Sequence, residues 1–231
     1  MRNFIVAIDG PAGSGKSTVA KILAKKYSMT YLDTGAMYRM CALYFLENNI
    51  SLNKQENIDK HLPLINIDID KDSFYLNGKD VSKEIRTPEV TALVSYVAKI
   101  KEVREKMVEL QREISSGKDV ILDGRDIGTV VFPNADLKIF LVASPEERAR
   151  RRMKDYEEKG IKEEYNKVLA GILERDFIDS TRKEGPLKKA EDAVEINTDG
   201  DTIEETVAKL GVFIGVARQQ KAKRDGENYD I

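Results

Sequence analysis

Lys16 and Ser17 close the run DGPAGSGKST, in which Gly10, Gly15, Lys16 and Ser17 satisfy the pattern Gly-x-x-x-x-Gly-Lys-Ser. Such spacing suits a loop whose backbone N–H groups turn inward around an anion at a helix N-terminus, where the macrodipole also favours negative charge. Gly10, Pro11, Ala12, Gly13, Ser14, Gly15, Lys16, Ser17 and Thr18 are the expected triphosphate-binding residues. Lys16 would reach the β- and γ-phosphates, and the Ser17 hydroxyl would ligate Mg²⁺. A nucleoside triphosphate is therefore an expected ligand, and the open question is where its phosphoryl group goes.

Asn-Lys-x-Asp and Asp-x-x-Gly, which a guanine-specific switch would need, occur nowhere in the chain. Transfer to a small molecule is the economical reading, and that chemistry rewards positioning and arginine charge. Three constellations could supply them. RARRR, residues 148–152, places Arg148, Arg151 and Arg152 on one helical face, either as a lid over a transferring phosphoryl group or as a solvated basic face. In ILERDFIDSTR, Arg175, Asp179 and Arg182 recur at i, i+4 and i+7, fit for a phosphate and a ribose or for a surface ion pair. DGRDIGT, residues 123–129, joins Gly124, Arg125 and Asp126 in a turn after a strand. Asp33 also ends a strand, where a carboxylate could accept from Mg²⁺-bound water. His61, the single histidine, stands in a polar stretch and reads as a surface residue.

These residues need elements to hold them. FIVAI (4–8), TYLD (30–33), DVILD (119–123), LKIFLVA (137–143) and AVEIN (193–197) are short apolar runs between longer helical patterns, which implies an α/β fold with a five-stranded parallel sheet flanked by helices. Ligands of such sheets bind at the strands' carboxyl ends, where the phosphate loop, Asp33 and DGRDIGT all fall. Between Leu64 and Val81 the period changes to two, with an Asn77-Gly78 turn, predicting a small antiparallel insertion of about three strands. Helices are expected near 36–48 and 88–116, and again where Ile203, Val207, Leu210 and Ile214 recur. KAKRDGENYDI, from Lys221, reads as a frayed tail.

Composition sets outer limits. In 231 residues there are 38 Lys plus Arg against 40 Asp plus Glu, a net charge of −2 that gives no general pull toward nucleic acid or anionic membrane. Cys41 is the only cysteine, so no intramolecular disulfide forms, and a buried reduced thiol is expected. With no basic apolar leader and no run of about 18 apolar residues, a cytoplasmic protein is expected.

Taken together, IDGPAGSGKST, YLDTGAMYR, DVSKEIRTPEV, DGRDIGTVVFP, KIFLVAS with EERARRRM, and ERDFIDSTR resemble the bacterial cytidylate kinases, P-loop nucleoside monophosphate kinases, over residues 5–188. The resemblance implies a core domain of residues 1–35 and 117–231 that carries an Arg-rich lid near 146–164. It implies a CMP-binding lobe of residues 36–116 with the antiparallel insertion near 63–85. ATP, CMP and dCMP would be the substrates, with Mg²⁺ and no nucleic-acid or membrane partner, in a monomer. Thr34, Ser95, Arg125 and Asp126 would read the cytosine; Arg104, Arg175 and Arg182 would bind the CMP phosphate; Asp179 would hold the sugar. Tyr38, Arg39 and Gly124 would shape the pocket, and Arg148 and Arg152 would close on ATP beside Lys16. A different small-molecule P-loop kinase, such as one acting on shikimate, or an RNA-binding protein using RARRRMK, would depart from these expectations.

Overall fold

The computed structural model describes residues 3–70, 73–158 and 160–226. In chain order its elements are β1 (Ile5–Asp9), α1 (Lys16–Lys26), β2 (Thr30–Asp33), α2 (Thr34–Glu47) and α3 (Gln55–His61). Then come β3 (Ile67–Asp70), β4 (Ser73–Leu76), β5 (Lys79–Asp80), α4 (Pro88–Val97), α5 (Lys101–Ser115) and β6 (Val120–Gly124). The chain continues through β7 (Leu137–Val142), α6 (Pro145–Glu158), α7 (Tyr165–Thr181), β8 (Val194–Asn197) and α8 (Ile203–Asp225). They divide into two compact units, one of residues 1–32, 115–181 and 185–231, the other of residues 33–114 and 182–184.

The first unit is built on a sheet of order β2-β6-β1-β7-β8. β1 pairs in parallel with β6 (Ile5 to Val120) and with β7 (Val6 to Leu137), and β7 pairs in parallel with β8. Central strands are covered on both faces, which is why β6 reads VILDG and is buried throughout. Val6, Ile8, Ile121, Ile139 and Leu141 form the core with Val19 and Leu23 of α1 and Leu210 and Ile214 of α8. From β1 the chain goes through α1 to one edge of the sheet, and from β6 to the other side. That reversal of strand order places the phosphate loop at a switch point.

The second unit packs α2 against α4 and carries an antiparallel sheet of order β3-β4-β5. Asn77 and Gly78 both have positive φ, 50° and 81°, and join Leu76 to Lys79 by the two-residue turn the sequence predicts. Cys41 is fully buried in α2, its Sγ 3.9 Å from Met107 Sδ, and burial pushes its thiol up to about 12.

Three expectations about elements change. The helix predicted over 88–116 is broken at residues 98–100 into α4 and α5, and Lys106 of α5 then donates to the carbonyls of Leu62 and Ile65 at 2.7 and 2.6 Å. His61 is half-buried with Nδ1 3.3 Å from the Tyr44 hydroxyl. The tail predicted from Lys221 is helical through Asp225, because the Lys221 ammonium pairs with Asp136 at 2.8 Å and donates to the Asn3 carbonyl. Residues 227–231 of that tail lie outside the described residues.

Candidate active site

Gly10 leaves β1 at φ 151°, and a Cβ there would lie 2.0 Å from the Leu141 carbonyl oxygen, so only glycine lets the loop turn this close to β7. Gly15 sits at the N-cap of α1 in the left-handed region, and no side chain caps the helix or adds acid to its first turn. The N-terminal N–H groups thus face the loop's hollow with positive character uncompensated by side chains. Lys16 is buried beside them, its ammonium donating to the Pro11 carbonyl at 2.7 Å and to Ser14 Oγ at 3.3 Å. Burial pushes Lys16 down to about 7; Arg125 and Arg175 push the same way, against Asp123 and Asp9. A cation so disfavoured is restored by a bound polyanion.

Asp123 is the penultimate residue of β6, the neighbour of β1, and this adjacency brings its carboxylate to the loop. Its Oδ2 accepts from Ser17 Oγ at 2.7 Å, and its Oδ1 from the Tyr31 hydroxyl at 2.7 Å. A strand-end carboxylate touching the loop serine suits a cation that arrives on the nucleotide. Asp9, at the end of β1, serves the backbone instead, accepting from the N–H groups of Ile127 and Gly128 at 2.8 and 2.7 Å and fixing the π-helical turn Ile127–Val131. Burial pushes its carboxyl up to about 6, and Asp126 adds to the rise.

On α7, Asp179 is buried and accepts from Arg125 Nε at 2.9 Å, with Arg175 Nε at 3.9 Å. The i, i+4 pair is therefore joined by the arginine of DGRDIGT rather than lying on the surface. Gly124 closes β6 opposite Asp9, and its carbonyl accepts from Arg125 Nη1 at 3.3 Å. Arg182 lies one residue past α7 and belongs to the second unit.

The arginines of α6 do not form one open face. Arg148 is 2% exposed and spends four of its five N–H donors inside the protein. It donates to the carbonyls of Ala143 (2.9 Å) and Ala12 (3.1 Å), and to both oxygens of Asp176 (3.0 and 2.5 Å). The sequence expectation of a lid residue closing on ATP meets here a strut between α6, α7 and the phosphate loop. Arg151 reaches Glu147 and Thr198, and Arg150 reaches Glu147. Arg152 lies 5.9 Å from the Tyr156 ring.

In the second unit Asp33 caps α2, accepting from the Ala36 N–H at 2.9 Å, and pairs with Arg86 at 3.4 Å. Thr34 follows it, buried in the first turn. Arg39 donates to Thr91 Oγ1 at 2.8 Å, and the Arg104 guanidinium stands 5.7 Å from the Tyr38 ring. Ser95 of α4 is 5% exposed, and its hydroxyl has no hydrogen-bond partner among the described residues. Such a group is costly to bury unless something else completes it.

A family model described as cytidylate kinase matches residues 6–214. The chain belongs to the cytidylate kinase family. A cytidylate kinase of Fusobacterium nucleatum is 60% identical over 90% of this chain and 95% of its own length. One of Carboxydothermus hydrogenoformans is 53% identical over 91% and 96%. Among solved structures, an uncharacterized protein from Eubacterium ventriosum shares the fold, with TM-score 0.50 at 12% identity over 93% of this chain and 99% of that one. Asp123 was legible as one of the two carboxylates of DGRDIGT, whereas the roles of Asp9, Tyr31 and Asp176 were not. The other three depend on which strands and helices become neighbours.

Proposed function

We propose that this cytidylate kinase family member transfers the γ-phosphoryl group of ATP to CMP or dCMP, giving ADP and CDP or dCDP. The observation that carries the reading is Lys16: an ammonium buried in a glycine loop at an uncapped helix N-terminus, with arginines for neighbours. Gly10 to Thr18 would hold the ATP phosphates, and Lys16 would neutralise charge on the transferring group. Ser17 and Asp123 would hold Mg²⁺, which when bound would offset charge on the phosphates. Asp33, already engaged as the cap of α2, is the less suited carboxylate.

For the acceptor, Arg104, Arg175 and Arg182 take the CMP phosphate and Asp179 the sugar. Thr34, Ser95, Arg125 and Asp126 take the cytosine edge, with Tyr38, Arg39 and Gly124 as walls. The unpaired Ser95 hydroxyl supports a polar ligand in the second unit, which we assign as the CMP-binding lobe. The first unit is the nucleotide core, with residues 146–164 as its lid. Arg152 is the lid residue assigned to the transferring phosphoryl group; Arg148 acts from outside, on the loop. The acceptor phosphate is already an anion and needs no strong base. We assign the enzyme to the cytoplasm as a monomer; no described helix is long and apolar enough to cross a membrane.

ADP formation from MgATP, followed with CMP, dCMP, UMP, AMP and shikimate as separate acceptors, tests the reading. Selective turnover of CMP and dCMP is expected. Preference for shikimate or AMP would overturn the acceptor assignment and leave the phosphate loop standing.

A further inference from the structure

Tyr31 touches the carboxylate that lies next to Ser17. Its ring packs on the core of the first unit, and the Lys21 ammonium stands 5.6 Å from the ring centroid. So held, the phenol has one well-defined direction, and its hydroxyl donates to Asp123 Oδ1 at 2.7 Å. The other oxygen of the same carboxylate accepts from Ser17 Oγ, also at 2.7 Å. Asp123 itself is 5% exposed. A terminal sp³–sp² torsion such as the χ2 of aspartate is intrinsically broad, so a carboxylate anchored through only one oxygen can swing.

We propose that Tyr31 is a positioning residue for the cation that accompanies the nucleotide. The inference rests on the nucleotide reading above. With Oδ1 held by Tyr31, Oδ2 stays beside Ser17 Oγ, where these two groups would together serve a cation without the carboxylate rotating. A fixed acceptor costs less to order at the moment of binding, and outer partners that orient a ligand shell are worth a measurable share of metal affinity. Because the Tyr31 hydroxyl acts through the carboxylate, its loss weakens the hold on the cation and leaves the phosphate contacts alone.

Tyr31→Phe deletes the donor and keeps the ring on the core. ATP binding to the wild type and to Tyr31→Phe, each titrated calorimetrically without acceptor, once with Mg²⁺ and once in EDTA, separates the two contributions. The variant should lose roughly five- to tenfold of the Mg²⁺-dependent gain in affinity. Its affinity for metal-free ATP should match the wild type. Replacing Mg²⁺ by Mn²⁺ and reading bound Mn²⁺ by electron paramagnetic resonance should show the same loss. An unchanged Mg²⁺ gain would overturn the proposal, as would an equal loss in EDTA, which would make Tyr31 a support of the loop. A wild type that bound ATP in neither condition would sink the nucleotide reading, and this inference with it.

Discussion

At the scale of single residues, Lys16 sets a pH signature. Free enzyme holds this ammonium only up to about pH 7, and bound phosphates favour the charged form, so ATP binding at pH 8 to 9 should take up close to one proton. Calorimetry in buffers of different ionisation enthalpy reads that uptake, and apparent ATP affinity should fall about tenfold per pH unit above pH 8. Lys16→Met should abolish the uptake and cut turnover by at least about 100-fold. Stability moves the other way. Between about 7 and 10.5 the native protein holds fewer protons at Lys16 than the unfolded chain does, so this group makes stability climb as pH rises there. Asp9 is opposite in sense: between 3.8 and about 6 the native state holds more protons, and stability from it falls as pH rises through that window. Ser95→Ala should leave denaturant stability level or slightly raised, since it removes an unpartnered hydroxyl, and should raise the CMP KM about tenfold. Equal KM values would remove Ser95 from the pocket. Much of this chemistry was legible in sequence: the glycine pattern fixed the place of Lys16 and Ser17. The depressed Lys16 was not, because the burial that lowers it, and the added charge of Arg125 and Arg175, come from elements far along the chain.

At the scale of elements, the Arg148–Asp176 bridge joins the start of α6 to α7 and to the loop carbonyl of Ala12. Asp176→Asn should leave a buried guanidinium half compensated and cost about 2–4 kcal/mol in a denaturant titration, below a fully buried pair because Asp176 is 26% exposed. ATP affinity should drop with it, as the loop loses its brace. The start of α8 offers a control: Thr202 and Glu205 form a capping box, so Thr202→Ala should cost about 1 kcal/mol and leave turnover alone. Sequence periodicity located both helices and placed Arg148 on a face with Arg152. It could not say which face turns inward, and a run of arginines among glutamates looks solvated until the carbonyls it meets are known. The break at residues 98–100 was hidden for a similar reason. Val90, Val94, Val97, Ile100, Val103 and Met107 keep helical apolar spacing across it, and only the geometry shows that two helices share it.

For the whole molecule, the order β2-β6-β1-β7-β8 means that neighbouring strands come from distant stretches: Ile5 lies beside Val120, and Asp136 Oδ2 accepts from the Ile5 N–H at 2.9 Å. The end of α8 joins that junction through Lys221 and Arg224, both paired with Asp136. Removing residues 221–231 should lower the Tm by about 4–8 °C while the KM for ATP holds, since the lost pairs sit at the amino ends of β1 and β7, away from the phosphate loop. An unchanged Tm would return these residues to the status of a tail. The alternation of strands and helices foretold the sheet, and the period-two stretch foretold the insertion. The role of the last helical turn was obscured, because lysines and arginines in sequence look the same whether they meet solvent or a carboxylate. Cys41 gives the molecule one further property. With a thiol pushed up to about 12 and no exposed surface, it is inert to alkylating reagents in the closed protein and reacts only when its surroundings part. Since it is the chain's only thiol, the slow appearance of label becomes a clock for opening of residues 33–114 alone, and a ligand that stops the clock reveals that it has bound there.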